Sequence, residues 1–289
     1  MFTVVLISAA AQAVTLSANN YRIDEAMPAH MDNLLWSDEF DAGALDKSKW
    51  SFDTSRNKIG WYNGELQYYA ADRPENLRLK NGRLIIELRK DPEQLRKLPD
   101  WGKQKYSSAK ITTRDKVAFN TGFIEVSAKL PCARGTWPAI WMMPQGTAPW
   151  PEGGEIDILE QVGSQPNVAH ATLHTALFNH TKHTGRGAET PVPTACSAFH
   201  RYQLAWTVDA ITIGVDDRAY MRVRDDRPGG RGAWPFDTPF YLILNLAMGG
   251  DWAAAKGIDD AALPQRLEVD YVRVWEMPDE APPASATKG

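Results

Sequence analysis

The stretch that most constrains this chain is residues 154–160, Gly-Glu-Ile-Asp-Ile-Leu-Glu. Three carboxylates, Glu155, Asp157 and Glu160, are separated there only by aliphatic side chains. The β-branched isoleucines favour an extended strand, in which Glu155 and Asp157 share a face because side chains alternate with a period of two. Glu160 is out of phase, so a regular strand would place it on the opposite face.

One extra residue in the strand would restore the phase. We therefore predict a β-bulge at Ile158-Leu159, after which all three carboxylates face one side and the two aliphatic side chains point into the core. Such a cluster suits glycosidic bond cleavage, which needs one carboxylate as nucleophile or base and a protonated one as general acid. Crowding of like charges raises the pKa, as the acid requires. The alternatives are a calcium loop, which favours Asp, Asn and Gly, and a plain charged edge strand.

The rest of the chain predicts an all-β fold. Its 289 residues, 43% hydrophobic and 24% charged, suffice for a large core. Alternating or apolar runs bounded by turn residues recur, whereas helical patterns are confined to one turn near Glu93 to Leu98. The predicted strands lie in 76–87 (a hairpin with an Asn-Gly turn), 106–113, 122–130, 169–178, 202–207, 211–223, 240–247 and 266–275. We expect an antiparallel β-sandwich with a concave substrate cleft.

Composition and the ends of the chain bear on partners and location. A net charge of −4 without a basic run argues against nucleic acid as a partner. Residues 1–13 are interpreted as the remnant of a secretory signal peptide, too short to span a bilayer, so we expect a secreted or periplasmic monomer with no membrane partner. Residues 14–33 are interpreted as a leader, 34–276 as the catalytic domain and 277–289 as a disordered tail.

Several segments, taken in order along the chain, resemble glycoside hydrolase family 16. Residues 155–160 are similar to the family signature in its longer Glu-x-Asp-x-x-Glu form, typical of the laminarinase-like endo-β-1,3-glucanases. The other matching segments are residues 36–41, 63–69, 135–142, 174–175 and 269–274. The resemblance covers about residues 34 to 276. It implies a β-jelly roll, retention of anomeric configuration and endo attack on a β-linked glucan or galactan.

The resemblance also implies catalytic roles. Glu155 would be the nucleophile, Glu160 the general acid/base, and Asp157 the residue that hydrogen-bonds and tunes its neighbour. Family 16 catalysis needs no cofactor. Zinc is the less favoured interpretation of the histidine-rich segment 170–183, which has no His-Glu-x-x-His motif and no nearby cysteine. Within that segment, His180 and His183 are expected in a loop at the cleft rim.

The residues expected to bind sugar are Asn63, Glu65, Trp137, Trp141 and His174. Trp137 and Trp141 have equal parity in an extended segment, and indole rings bind flat sugar faces well, although core packing is the alternative for Trp141. Asn63 and Glu65, two apart on one face, match the segment that lines the subsites on the non-reducing side in the family. His174 matches the family's active-site histidine.

Other positions carry further expectations. Lys110 replaces an arginine found in many relatives, so the resemblance does not carry the sugar contact of that arginine over to this chain. The resemblance implies a possible structural calcium bound by the Asp270 side chain and by backbone oxygens of Glu39 and Gly82, where an aspartate that only caps a turn is the alternative.

The two cysteines, Cys132 and Cys196, favour a disulfide because their number is even and export is expected. Each lies beside a segment that resembles the family's cleft. The bond is therefore predicted to hold the histidine-rich loop against the tryptophan-bearing strand.

The sequence thus predicts a retaining endo-β-glucanase acting on β-1,3-glucan, a laminarin-type polysaccharide. The alternatives within the fold are mixed-linkage β-1,3-1,4-glucan or agarose as substrate. A catalytically silent, lectin-like carbohydrate-binding domain is the alternative from another class. Three crowded carboxylates cost stability, which argues against a protein that only binds.

Overall fold

The computed structural model describes residues 21–225 and 229–278. Within them the strands are β1 Arg22–Ala26, β2 Leu34–Asp38, β3 Ser51–Phe52, β4 Gln67–Tyr69, β5 Leu77–Leu79, β6 Leu84–Lys90, β7 Tyr106–Ser108, β8 Lys110–Thr112, β9 Gly122–Lys129, β10 Thr136–Pro144, β11 Glu155–Glu160, β12 Val168–His174, β13 Arg186–Pro191, β14 His200–Trp206, β15 Ala210–Val215, β16 Arg218–Arg224, β17 Phe240–Met248 and β18 Gln265–Trp275. The helices are α1 Pro92–Leu95 and α2 Gly250–Ala253, and 3-10 turns lie at Tyr62–Gly64, His180–Lys182, Gly230–Gly232 and Asp260–Ala262. The predicted signal-peptide remnant and residues 279–289 of the predicted tail lie outside the described residues.

The described strands form two sheets around one apolar core. One sheet has the order β1-β16-β15-β14-β9-β18-β6-β7-β4, with β2 pairing with β18 and β5 with β6. The other has the order β13-β12-β11-β10-β17-β8-β3. Buried side chains of both sheets, such as Ile124 and Val126 from β9 and Ile140 and Ile156 from β10 and β11, belong to the same core. The predicted antiparallel sandwich is confirmed; among the described pairings, only β4 with β7 is parallel.

The hairpins follow from turn chemistry. Asn81 and Gly82, between β5 and β6, both have positive φ, and so do Asp216 and Asp217 between β15 and β16. Two-residue hairpin loops favour turns of this kind, because their twist matches that of the strands. The predicted hairpin at Asn81-Gly82 is therefore confirmed, and residues 211–223 form a second hairpin, β15 with β16.

Several regions differ from the sequence prediction. The predicted strand 169–178 ends at His174, and β13 was not predicted. Residues 106–113 form two strands rather than one: β7 belongs to the larger sheet and β8 to the smaller, with the fully buried Ala109 between them. No glycine or proline separates the two parts, so the sequence pattern does not mark the crossing. The predicted leader contains β1, in which Arg22 pairs with Met221 of β16, so the sheet begins before residue 34. Charged residues are typical of such an edge strand and hid it.

The predicted disulfide is present. Cys132 and Cys196 are bonded, with their Cα atoms 5.7 Å apart. The bond connects the loop before β10 with the loop after β13, whereas the histidine-rich loop precedes β13. The bond was predicted to hold the histidine-rich loop. In the structure it does not hold that loop directly, so this part of the prediction is wrong. Across the described residues, the helices are all too short to cross a membrane.

Candidate active site

The carboxylate strand β11 contains the predicted bulge. Against β10, Leu159 pairs with Ile140 and Asp157 pairs with Trp141, which leaves Ile158 as the extra residue. Against β12 the register is also shifted between Asp157 and Glu160. Ile158 and Leu159 are buried in the core. The bulge at Ile158-Leu159 is confirmed, and it restores the phase between Glu160 and the other two carboxylates.

Both ends of β11 are held by close packing. Gly154, immediately before the strand, has a φ of +87°, and a Cβ there would lie 2.7 Å from the Pro235 ring, so a side chain is excluded. After the strand, the buried Gln161 donates to the Pro131 carbonyl at 3.0 Å and accepts from the Asn167 amide at 3.0 Å. These contacts hold Glu155 and Glu160 at fixed positions.

Glu155 and Glu160 line a cleft of about 860 Å³ on the smaller sheet. Each accepts a hydrogen bond from an indole: Trp150 Nε1 donates to Glu155 Oε2 at 2.6 Å, and Trp137 Nε1 donates to Glu160 Oε1 at 3.0 Å. Asp157 is only 3% exposed. The three carboxyls thus form one cluster, with Asp157 beneath the cleft surface.

Burial raises the pKa of all three carboxyls. It raises the pKa of Glu155 to about 8, with a further contribution from the charge of Asp157. It raises the pKa of Glu160 to about 7, although His174 acts in the opposite direction. The pKa of Asp157 is also raised, first by burial and then by the charge of Glu160. The cluster therefore holds protons near neutral pH, as a general acid requires.

Three aromatic rings, those of Trp150, His174 and His180, lie together beside the carboxylate cluster. The rings of Trp150 and His180 are 5.0 Å apart, and those of His174 and His180 are 5.1 Å apart. His174 Nε2 lies 3.3 Å from Asp157 Oδ2, but the two atoms do not form a hydrogen bond. His180 and His183 also line the cleft, in agreement with the predicted rim position.

The predicted sugar-binding residues are brought together only in part. Trp137 lines the cleft, with its ring edge-on to Trp252 at 5.4 Å. Trp141 is half-buried and is not among the residues that line the cleft. Its Nε1 donates to Asn245 Oδ1 at 2.7 Å. Trp137 and Trp141 have the same parity on β10, but only the Trp137 indole lines the cleft.

Asn63 and Glu65 do not share a strand face, so that expectation is wrong. Asn63 lies in a 3-10 turn with a φ of +57° and lines the cleft. Glu65 pairs with Gly249 and accepts a hydrogen bond from Gln67 Nε2 at 2.8 Å. Burial raises the pKa of Glu65. The turn interrupts the alternation on which the prediction depended.

Lys110, the departure from the family pattern, forms an ion pair with Asp53 at 2.9 Å. Its ammonium group also lies 4.8 Å from the Trp61 ring centroid and 5.1 Å from that of Trp141. This lysine is therefore held by one carboxylate between two indole rings.

Trp150 and Trp252 were not predicted as site residues from the sequence. Trp150 lies in a proline- and glycine-rich loop just before the signature, and that proximity was an available signal. Trp252 on α2 lines the cleft and also contacts the His170 ring, at 4.9 Å. It follows Gly249-Gly250 at the end of a buried strand, a weaker signal.

Two groups of residues bear on metal binding. Among the described residues, the group of His, Asp and Glu side chains close enough to share an ion is Glu155, Asp157 and His174, with ligand atoms within 4.8 Å of one another. At the predicted calcium position, Asp270 lies in an irregular part of β18, and Arg83 Nε is 3.5 Å from its Oδ1. The arginine competes with a cation for this carboxylate.

Comparison with known proteins decides the family. The sequence profile of "Glycosyl hydrolases family 16" matches residues 64–273. The chain belongs to glycoside hydrolase family 16. A β-glucanase from Rhodothermus marinus is 47% identical over 251 residues, which is 84% of this chain and 84% of the relative.

Two solved family 16 structures are also similar to this chain. SCLam, a non-specific endo-β-1,3(4)-glucanase, has a TM-score of 0.87 and 48% identity, covering 93% of this chain and 100% of its own. The laminarinase from Rhodothermus marinus has a TM-score of 0.79 and 43% identity, covering 89% of this chain and 100% of its own.

These similarities confirm the predicted resemblance, including its laminarinase-like branch, and the β-jelly roll. The family 16 chain is accordingly a glycoside hydrolase, and its family cleaves with retention. Family 16 glucanases need no cofactor for catalysis.

Proposed function

We propose that this chain is a retaining endo-β-1,3-glucanase with Glu155 as nucleophile and Glu160 as general acid/base. The observation that supports it best is the bulge in β11, which brings both carboxyls to one cleft, each beside an indole N–H.

The reaction proceeds in two displacements. In the first, a Glu155 oxygen bonds to the anomeric carbon while the glycosidic bond breaks and Glu160 gives its proton to the departing oxygen. In the second, Glu160 takes a proton from water, and the water oxygen displaces Glu155 from the anomeric carbon. The raised pKa of Glu160, about 7, suits both its roles.

The nucleophile must be ionised, whereas burial raises the pKa of Glu155 to about 8. The protons of this cluster are shared, so we assign the one between Glu155 and Asp157 to Asp157. Glu155 accepts the Trp150 N–H at 2.6 Å, which stabilises its charge, while Asp157 Oδ2 has no hydrogen-bond partner. A protonated Asp157 can donate to Glu155 and tune its basicity. His174, close to both carboxyls, also favours the ionised nucleophile.

The sugar is held by the remaining predicted residues. Trp137 offers an indole face beside Glu160, and Asn63 forms the wall on the non-reducing side. Glu65, Trp141 and His174 complete the proposed set of sugar-binding residues. We place Glu65 and Trp141 where the polysaccharide extends beyond the main cleft. Aromatic faces with a few polar groups are typical of such sites.

The favoured substrate is β-1,3-glucan, supported by the similarity to a laminarinase. Mixed-linkage β-1,3-1,4-glucan is the second candidate, supported by the similarity to the non-specific endo-β-1,3(4)-glucanase SCLam. Both substrates would present β-linked glucosyl units to the same carboxylates.

The test is reducing-sugar release from laminarin, lichenan, agarose and carrageenan. We expect the highest kcat/KM on laminarin, lower activity on lichenan and none on the galactans, with α/β anomer analysis of the first product showing retention. Agarose as the best substrate would refute the glucanase assignment. Binding of laminarin without release of sugar from any polysaccharide would show a lectin-like protein instead.

We also propose that the protein is exported and monomeric, which agrees with its disulfide. The calcium proposal concerns structure only, with Asp270 and the backbone oxygens of Glu39 and Gly82 as ligands. A rise in melting temperature on adding Ca²⁺ to chelator-treated protein, lost in Asp270→Ala, would support it. An unchanged melting temperature would exclude a stabilising ion.

A further inference from the structure

Tyr62 is an exposed aromatic residue next to the cleft that none of the assignments above uses. Its residue surface is 65% exposed, in a protein whose largest aromatic side chains are mostly buried. Single exposed apolar side chains are normal on protein surfaces. Exposure alone therefore does not indicate a binding role for Tyr62, whereas the way its ring is held and its position beside the cleft do.

The ring of Tyr62 is oriented by Arg56. The guanidinium carbon lies 4.0 Å from the ring centroid, and Nη1 donates to the tyrosine hydroxyl at 3.3 Å. Arg56 is itself fixed, since its Nε donates to the Gly60 carbonyl at 2.9 Å. The cation covers one face of the ring, and the large exposed fraction requires that the other face be open. A ring that is already oriented loses little entropy when a ligand stacks on it.

Tyr62 is continuous with the cleft. The next residue, Asn63, lines the cleft, and the Asn63 carbonyl and the Trp137 ring both closely approach Gly250 of α2. The preceding residue, Trp61, is buried and packs edge-on against Tyr69 at 4.6 Å. Both neighbours are anchored, so the exposed ring is held at the rim on the Asn63 side.

We propose that Tyr62 binds a further glucosyl unit of the polysaccharide, beyond the subsite walled by Asn63. This inference rests on the proposed function, in which Asn63 lies on the non-reducing side. A β-linked glucosyl ring has apolar C–H groups on its faces and hydroxyls around its edge, so it can stack on the open face of the tyrosine. The Arg56 cation behind the ring holds the stacking surface in place.

Ile59 provides a matched control. It lies in the same loop and is 70% exposed, as an apolar side chain of similar accessibility. It has no flat face to stack on a sugar. A change that acts only by disturbing the loop or removing exposed apolar surface should therefore appear in Ile59→Ala as well.

The experiment compares kcat/KM on laminarin with kcat/KM on the shortest β-1,3-gluco-oligosaccharide that the enzyme cleaves. Tyr62→Ala and Tyr62→Leu should lower the ratio of the two values about fivefold, the loss expected from one stacked ring. Tyr62→Phe should keep most of the wild-type ratio, and Ile59→Ala should leave the ratio unchanged. Melting temperatures of all four variants should match the wild type.

The outcomes separate the two proposals. Cleavage by the wild type with an unchanged ratio in Tyr62→Ala, or with an equal fall in Ile59→Ala, would overturn this inference alone. No cleavage of any β-glucan by the wild type would overturn the proposed function and this inference with it. A fivefold fall that Tyr62→Phe reverses would establish the additional subsite.

Discussion

Two buried carboxylate groups in this molecule, one on each sheet, have opposite surroundings. On the larger sheet, Glu87 is 1% exposed and accepts hydrogen bonds from Arg78 at 2.6 Å and Arg266 at 2.8 Å, with Arg89 as a third partner. Burial alone would raise the pKa of Glu87, but the hydrogen bonds from the arginines lower it. This carboxylate is kept charged.

Among the described residues, the carboxylate cluster of Glu155, Asp157 and Glu160 on the smaller sheet has no such arginine partners. In the described part of the chain, the ion pairs of Glu155, Asp157 and Glu160 include no lysine or arginine, and the basic side chain beside them is His174. Burial is common to both regions, so the arginines account for the difference in pKa direction. The arginines keep the Glu87 carboxylate charged, whereas a buried cluster without them can exchange protons at neutral pH.

The largest effect is expected at Glu155, the proposed nucleophile. Glu155→Gln should lower kcat on laminarin by at least about 10⁴-fold, because the amide cannot form the glycosyl-enzyme bond. Binding of laminarin should persist, since Trp137 and Asn63 remain. Steady-state kinetics and calorimetric binding measure the two effects. Full activity of this variant would end the assignment of Glu155.

Glu87→Gln should instead destabilise the fold and leave kcat/KM unchanged. Removing the charge leaves three arginines without their partner, and we expect a loss of about 2 kcal/mol in the free energy of unfolding. This is less than for a fully buried pair, because the arginine side chains are 27% to 49% exposed. Urea denaturation measures it. A variant as stable as the wild type would show that the arginines contribute nothing here.

The pH profile of kcat/KM tests the proton on Glu160. The general acid must be protonated, and its pKa is about 7, so kcat/KM should fall about tenfold per pH unit above neutrality. A series of buffers of constant ionic strength provides the measurement. A plateau that extends to about pH 9 would assign the acid to a group with a higher pKa.

Glu160→Gln should stabilise the protein at alkaline pH. The folded-state pKa, about 7, lies above the usual value of 4.5, so the folded state binds more protons in that window and stability falls as pH rises through it. The amide cannot ionise. Its melting temperature should exceed that of the wild type by about 2–4 °C at pH 8 and match it below pH 4.5. A lower melting temperature at pH 8 would contradict the unpaired-charge explanation.

The smallest effect concerns the indole donor of Trp137. Its N–H bond to Glu160 lowers the pKa of that carboxyl, so Trp137→Phe should move the alkaline limb of kcat/KM to higher pH by a fraction of a unit. Trp141→Phe is the control, because its N–H donates to Asn245 instead. Equal shifts in both variants would mean that the hydrogen bond is not the cause.

The features that could be predicted are those set by residue spacing along a strand and by turn residues. The bulge in β11 followed from an offset of five residues in a structure of period two, and the hairpin at Asn81-Gly82 followed from turn chemistry. Both depend on neighbours in the sequence. The same arithmetic failed where the backbone leaves the strand conformation, as at Asn63, whose left-handed φ ended the alternation with Glu65.

The sequence by itself determined the sandwich, the carboxylate cluster and the bulge, because side-chain period and residue type specify them locally. It also determined the cysteine pair, because the chain has only two cysteines. Only the tertiary structure decided which carboxylates stay paired. Glu87 and Glu160 both lie in apolar strands, but one of the arginines on Glu87 comes from β18, 179 residues away, and the indole on Glu160 comes from β10, 23 residues away. Contacts between distant segments depend on how the sheets pack, and packing sums many small contributions that no short motif contains.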